Sequence, residues 1–118
     1  MQREMTFFEP LENAEFVPDS IVTGWTSVRD AVIWCWENRK RNSRSEPDDQ
    51  AMFARNAGFH APHMSRCVNR RTKAPMDMAQ KHWNEFEAFT GWRGLNQYVA
   101  KSSGLTLMEQ VISERKAA

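Results

Sequence analysis

Residues 50–69 read QAMFARNAGFHAPHMSRCVN, a pattern that predicts two short helices joined by a tight turn. Gly58 is expected to end the first helix as its left-handed cap, because a residue without a Cβ adopts positive φ at no steric cost. Ala61 and Pro62 are expected to form the cap and first turn of the second helix, where the N–H that proline lacks would be unpaired anyway. The stretch therefore predicts a helix-turn-helix.

The apolar residues of this stretch have helical spacing. Phe53 and Ala57 fall on one face of the first helix, whereas Met64 and Cys67 fall on one face of the second. Phe59 is expected to fill the corner between the two helices. The side chains around the second helix that are expected to point outward are His60, Ala61, His63, Ser65, Arg66 and Asn69. A polar, arginine-bearing outer face is typical of the helix that reads DNA.

The same stretch resembles the helix-turn-helix of the lambda-repressor- and Cro-like phage regulators. The residues that carry the resemblance are Gln50, Ala54, Gly58, Met64, Cys67 and Asn69. The likeness is closest over residues 50–69, extends loosely from Ser27 to Gly104, and includes a softer similarity to small phage regulators over residues 77–100.

This resemblance implies a DNA-binding regulator of phage or mobile-element type. In the family, the glutamine at the position of Gln50 touches a phosphate and can also brace a base-reading side chain. The sequence departs from the family at Cys67, where a branched aliphatic residue is usual. Pro62 also limits which side chains the start of the second helix can offer to a base.

The rest of the chain predicts further helices around one core. A length of 118 residues is enough for one domain. Ser27 and Asp30 resemble a capping box that opens a helix running to about Arg39. The other expected helices are one capped by Asp48 or Asp49 and ending near Ala57, one capped by Asp77 over 78–89, one over 92–100, and a last one capped by Thr106. We therefore expect an all-α, lambda-repressor-like domain of five or six helices.

The chain divides into three regions. Residues 1–24 lack a helical period and are expected to form an irregular acidic segment, with a short β-ribbon as the alternative. Residues 25–104 are expected to form the DNA-binding domain, and residues 105–118 a C-terminal helix whose apolar stripe is Leu107, Met108, Val111 and Ile112. This stripe either closes the core or pairs with its copy. We favour a homodimer, because one short reading helix specifies too small a site.

Basic residues are concentrated around the predicted helix-turn-helix. The whole chain has a net charge of only +1. Residues 1–30 carry two basic and six acidic residues, whereas residues 39–73 carry nine basic and three acidic residues. A local basic patch on a nearly neutral protein is the footprint expected of a modest DNA binder. A solvated charged face is the alternative interpretation.

The predicted DNA contacts follow from this placement. Arg66 is the best candidate for a bidentate contact with guanine O6 and N7. The other predicted base-reading residues are His60, His63, Ser65 and Asn69. The predicted phosphate contacts are Gln50, Arg55, Arg70, Arg71 and Lys73. For each of these residues the alternative is a solvated surface group.

Other chemistries find little support in the sequence. His60, His63 and Cys67 form a His-x-x-His-x-x-x-Cys run, but a zinc site needs a fourth ligand and Cys67 is expected in the core. The chain has no glycine-rich phosphate loop, no His-Glu-x-x-His motif and no nucleophile elbow. Cys35 and Cys67 both fall on apolar stripes, which favours inert thiols. We therefore expect no metal, no cofactor, no small-molecule substrate and no enzymatic activity.

The sequence also indicates a compartment. No apolar run approaches the roughly 18–20 residues that a membrane span needs, and the N-terminus lacks the apolar core of a signal peptide. Two cysteines give no disulfide framework. These features predict a cytoplasmic protein without a membrane partner, associated with the nucleoid when it binds DNA.

Together these observations predict a sequence-specific transcriptional regulator that binds double-stranded DNA with its second helix-turn-helix helix in the major groove. It is expected to act as a repressor or autoregulator on a short palindrome. The main alternative is a protein-interaction module on the same scaffold, which would bind a phage or host protein through the acidic N-terminal segment and exposed aromatic residues. A weaker alternative is an architectural protein that coats DNA without sequence preference.

Overall fold

A computed structural model describes residues 14–40, 46–104 and 111–112 of the chain. Within these ranges the structure is helical, with one short 3₁₀ helix and no β-strand. The α-helices are α1 (Asp19–Val22), α2 (Val28–Glu37), α3 (Glu46–Ala57), α4 (Ala61–Val68), α5 (Trp83–Thr90) and α6 (Gly94–Ser102), and the 3₁₀ helix is Gln80–His82. The predicted all-α class is confirmed for this part of the chain.

Helix α2 begins as the sequence predicts. The Ser27 hydroxyl accepts a hydrogen bond from the backbone N–H of Asp30 at 3.2 Å, which satisfies one of the unpaired donors of the first turn. The Asp30 carboxylate reaches back one residue further than expected and accepts from the N–H of Thr26 at 2.8 Å. The helix ends at Glu37, two residues before the predicted end at Arg39.

Helix α3 begins earlier than predicted. It starts at Glu46 and has Pro47 in its first turn, where proline is tolerated. Asp48 and Asp49 therefore lie inside the helix, and neither is its N-cap residue. Asp49 is buried and forms an ion pair with Arg39, with 2.8 Å between its Oδ2 and the arginine Nη2. This pair ties the start of α3 to the end of α2.

The turn between α3 and α4 has the predicted geometry. Gly58 adopts a φ of +67°, the left-handed conformation that ends a helix. The N–H of Phe59 donates to the carbonyl of Ala54 at 2.8 Å, which is the long-range bond of a Schellman motif. His60, one residue before the predicted cap, precedes the first residue of α4. The two helices are therefore joined by only three residues, 58–60.

An aromatic cluster forms the centre of the core. Phe53 of α3 is fully buried, with ring centroids 5.6 Å from both Phe86 and Phe89 of α5. Trp36 of α2 stacks on the same two α5 rings, with centroid separations of 6.2 Å and 5.8 Å. Phe59 packs against Phe53 at 6.1 Å and so fills the corner below the turn, as predicted. This cluster fixes the helix pair on the rest of the molecule.

Two helix starts differ from their predicted positions. Asp77 does not cap α5, because residues 75–79 are not helical and α5 begins only at Trp83. The Met78 carbonyl accepts from the Trp83 indole N–H at 2.9 Å. The 3₁₀ helix then leads into α5. Helix α6 begins at Gly94 and not at Trp92. Glu87 of α5 is fully buried beside this start, and its carboxylate accepts the backbone N–H of Asn96 at 2.9 Å.

The N-terminal part of the described chain is packed onto α6. Val17 is fully buried, and the side-chain amide of Gln97 both accepts from its N–H at 2.8 Å and donates to its carbonyl at 2.7 Å. The short β-ribbon, the alternative to an irregular segment, does not form within the described residues, where the chain has helix α1 and a single parallel bridge between Glu15 and Trp92. Residues 1–13 lie outside the described residues.

The predicted C-terminal stripe is described only in part. Val111 and Ile112 are helical, and Ile112 has an exposed fraction of 46%. Leu107, Met108 and the predicted cap at Thr106 lie outside the described residues.

Candidate nucleic-acid interface

Helix α4 presents one buried and one exposed face. Met64, Cys67 and Val68 are buried against the core, as the spacing predicts for the first two. The predicted outward residues divide into an exposed group of His60, Ala61, Ser65 and Asn69, and a half-buried pair of His63 and Arg66. The helix is thus held by its apolar side, and its polar side remains available to a partner.

Two histidines lie at the N-terminal end of α4. The rings of His60 and His63 are 4.5 Å apart between centroids and meet edge to face. The pKa of His63 lies below its ordinary value because partial desolvation disfavours the imidazolium, and the nearby positive charges of His60 and Arg66 act in the same direction. His63 is therefore mainly neutral at pH 7 and offers one donor and one acceptor.

Arg66 is anchored and does not project freely. Its Nε donates to the carbonyl of Ala74 at 2.7 Å, and its own carbonyl accepts the N–H of Met76 at 3.2 Å. Neither of its Nη nitrogens is hydrogen-bonded to another residue in the described ranges. The guanidinium thus has a fixed orientation, and its two Nη nitrogens can donate to a ligand.

The loop after α4 is tied down by several hydrogen bonds. The Asn69 side-chain oxygen accepts the N–H of Arg71 at 2.9 Å, and the Asn69 carbonyl accepts from Nη2 of Arg29 in α2 at 2.8 Å. The Thr72 hydroxyl accepts the N–H of Ala74 at 3.3 Å. Asn69, a predicted base-reading residue, therefore already uses its side-chain oxygen to shape this loop.

The predicted phosphate contacts differ in their surroundings. Arg55, Arg71 and Lys73 are exposed, and none of them forms an ion pair with another residue of the described part of the chain. Arg70 instead pairs with Glu37, the last residue of α2, through bonds of 2.8 Å and 2.9 Å. Gln50 is half-buried in the second turn of α3, because that helix starts four residues earlier, at Glu46.

The charged residues between Gln50 and Met76 are all basic. The sequence from Gln50 to Met76 contains no aspartate or glutamate, and its five basic residues are Arg55, Arg66, Arg70, Arg71 and Lys73. Four of the five, all except Arg55, lie on α4 or in the loop 69–76 that follows it. Such a surface attracts a polyanion.

Both cysteines of the chain are buried and free. Cys67 is fully buried, and burial raises the pKa of its thiol to about 11, so it remains protonated at neutral pH. Burial also raises the pKa of Cys35. Over the described residues, no three His, Cys, Asp or Glu side chains are grouped so that they could hold a metal ion. None of the helices in these ranges has the length and apolar character needed to span a membrane.

Comparisons with known proteins add no further assignment, since no family model, no curated protein and no solved structure matches this chain.

Sequence reasoning missed the residues that shape the site from a distance. Arg29 and Glu37 both belong to α2, yet they contact Asn69 and Arg70, which lie more than thirty residues further along the chain. Their partners follow from the packing of α2 beside α4, which no local pattern encodes. The only available signal was the position of Glu37 at a helix C-terminus, where a negative charge is unfavourable.

Proposed function

We propose that this protein is a sequence-specific regulator that binds double-stranded DNA through α4. The observation that carries the proposal is the exposed polar face of α4, held from behind by Met64 and Cys67, within a stretch that contains basic residues and no acidic ones. A helix of this kind, preceded by a tight turn and a second helix, has the form of a reading helix in the major groove. The helix-turn-helix domain type belongs to the same proposal.

The dimensions of α4 support this role. Its eight residues span about 12 Å at a rise of 1.5 Å per residue, which is comparable to the width of the major groove. One such helix reads only a few base pairs. The protein therefore acts as a homodimer on two half-sites about 34–36 Å apart, with the C-terminal stripe of Leu107, Met108, Val111 and Ile112 as its contact. Its role is that of a repressor or autoregulator of phage or mobile-element type, located in the cytoplasm and on the nucleoid.

The experiment that tests the proposal is selection of bound sequences from a random pool of DNA duplexes. The expected result is a two-fold symmetric motif, with a cognate-to-random affinity ratio of about 10³ or more. If no motif is enriched and binding falls steeply with salt concentration, the protein is an architectural DNA-binding protein and the proposal is contradicted. No binding at low salt would exclude DNA as the partner.

Replacing Arg66 by alanine is expected to weaken binding to the selected sequence by about 1–3 kcal/mol and to relax the preference at one base pair. The reason is the loss of the two-pronged guanidinium, which the bond to Ala74 holds in one orientation. Binding isotherms on the cognate duplex and on single-base variants measure both effects. An unchanged affinity and preference would show that Arg66 serves only to hold the loop.

Replacing Lys73 by alanine is expected to weaken cognate and scrambled duplexes alike and to reduce the slope of log K against log salt by about 1. Lys73 is exposed in the loop after α4, where a charge reaches phosphates and not base edges. Titrations at two salt concentrations measure the slope. Lys81, an exposed lysine of the 3₁₀ helix, provides the control, because its replacement should leave the slope nearly unchanged.

A specific observation favours the protein-interaction alternative. Four half-buried aromatic residues form a chain of ring contacts in the described structure: Trp25, Trp34, Trp92 and Tyr98. Tryptophan and tyrosine are enriched in the cores of protein interfaces. An interaction module would show neither sequence preference nor a salt-dependent affinity for duplex DNA, so the same selection experiment separates the two functions.

A further inference from the structure

One carboxylate lies directly against the proposed DNA-binding surface. Glu37 is the last residue of α2, and its two oxygens accept from Nε and Nη2 of Arg70 at 2.8 Å and 2.9 Å. Both side chains are largely exposed, with fractions of 43% for Glu37 and 60% for Arg70. The pair is therefore accessible to a competing anion from solution.

Glu37 does not serve the stability of its own helix. A negative charge in the last turn opposes the helix dipole, which favours cations there. An ion pair as exposed as this one also contributes little to folding. The close bidentate geometry is thus better explained by what it does to Arg70.

The packing of α2 on α4 gives the pair a defined position. Arg29, two turns before Glu37 on α2, donates to the carbonyl of Asn69 at 2.8 Å. This bond holds the end of α4 against α2, and Arg70 is the next residue along the chain. The Arg70 guanidinium consequently meets the two carboxylate oxygens of Glu37 in the planar, two-point manner in which it would meet two phosphate oxygens.

We propose that Glu37 is an intramolecular competitor that occupies Arg70 in place of a DNA phosphate and so limits the affinity of the protein for DNA. This inference rests on the proposed function. In the free protein the charge of Arg70 is cancelled by Glu37. When DNA binds, Arg70 either stays paired with Glu37 or exchanges the Glu37 carboxylate for a phosphate. In both cases the binding free energy is less favourable than it would be with an unpaired arginine. The hydrogen bonds from Arg70 to Glu37 raise the pKa of Arg70, and the charge of Glu37 acts in the same direction.

The competitor acts on all sequences, because phosphates carry no base information. It lowers non-specific binding as much as cognate binding, which keeps the absolute affinity low enough for the protein to leave random DNA. Asp30, whose charge also acts on Arg70, accepts from the Thr26 N–H and hydroxyl at the start of α2.

The test is a double-mutant cycle of Glu37→Gln and Arg70→Ala, measured by binding of a 20-base-pair duplex at several salt concentrations. Glu37→Gln is expected to raise the affinity for cognate and scrambled duplexes by about two- to fivefold, the range that an exposed ion pair spans. The slope of log K against log salt should steepen by about 0.9, equivalent to one more neutralised phosphate. In the Arg70→Ala background, Glu37→Gln should raise the affinity for DNA no more than the control substitution Glu85→Gln does.

The control is Glu85→Gln, an exposed acid on α5 that gives the same change in net charge. Thermal unfolding of each variant checks that the fold is retained. Equal gains from Glu37→Gln and Glu85→Gln would overturn the competitor role while leaving DNA binding intact. A gain that persists without Arg70, or that is confined to one sequence, would also overturn it. Absence of duplex binding by the unmodified protein would instead refute the proposed function itself.

Discussion

Replacing Phe53 by alanine is expected to lower the free energy of unfolding by about 3–5 kcal/mol, the range found for large-to-small substitutions of buried phenylalanines. Phe53 is fully buried and contacts the rings of Phe59, Phe86 and Phe89. Because these rings belong to the α3–α4 turn and to α5, neither side collapses easily into the space that is left. The expected cost therefore includes both the lost apolar burial and an unfilled cavity.

Denaturant titration of the purified protein measures this effect. Phe53→Leu should cost less than Phe53→Ala, because leucine retains more of the buried volume. Val99→Ala provides the surface control, since the Val99 side chain of α6 is exposed and its replacement should change stability by no more than about 0.5 kcal/mol. A loss for Phe53→Ala as small as that of the control would contradict the aromatic core described above.

The second large effect is a dependence of stability on pH that comes from Glu87. Burial raises the pKa of this carboxyl from 4.5 to about 7, although hydrogen bonds from Asn96 and the charge of Arg93 act against the shift. Between these pH values the folded protein holds a proton that the unfolded chain has released. The contribution of Glu87 to stability therefore falls as the pH rises through this window and is constant above it. The total change is on the order of 3 kcal/mol.

Glu87→Gln isolates this contribution. The variant amide does not titrate, and it can keep two hydrogen bonds if the Asn96 side-chain amide, which now donates to Glu87 Oε1 at 2.8 Å, turns over to accept. Unfolding free energies at pH 5 and pH 8 should thus show a smaller loss on going to pH 8 in the variant than in the unmodified protein. Glu85→Gln, two residues away and exposed, should retain the full loss. Equal pH dependence in all three proteins would contradict the role of Glu87.

The parts of the fold that could be predicted are those set by neighbouring residues. The turn at Gly58, the burial of Met64 and Cys67 and the Ser27 cap each depend on side chains within a few positions of one another, and the structure confirms them. Helix starts were less predictable. Asp48 and Asp49 are residue types that favour N-cap positions, which predicts a helix start there, but the first turn of α3 already contains Pro47.

The candidate site could be predicted as a surface but not as a network. Sequence spacing predicted Arg66 on the outward face of α4, but in the structure it is half-buried and its Nε contacts the carbonyl of Ala74, beyond the end of the helix. The sequence also predicts an unpaired positive charge at Arg70, but in the structure Arg70 is paired with Glu37, which lies 33 positions away in the chain. Contacts of this kind depend on how α2 packs beside α4, and helical periodicity carries no information about that arrangement.

The two hydrogen bonds between the Gln97 side chain and the Val17 backbone have a consequence for truncated forms of this protein. A fragment that begins at residue 25 would lose Val17 and with it both hydrogen-bond partners of the Gln97 amide, and it would expose the part of the apolar core that Val17 covers. Proteolytic removal of the same piece would do likewise. The shortest fragment with an intact interior therefore starts no later than Ala14, itself a buried residue.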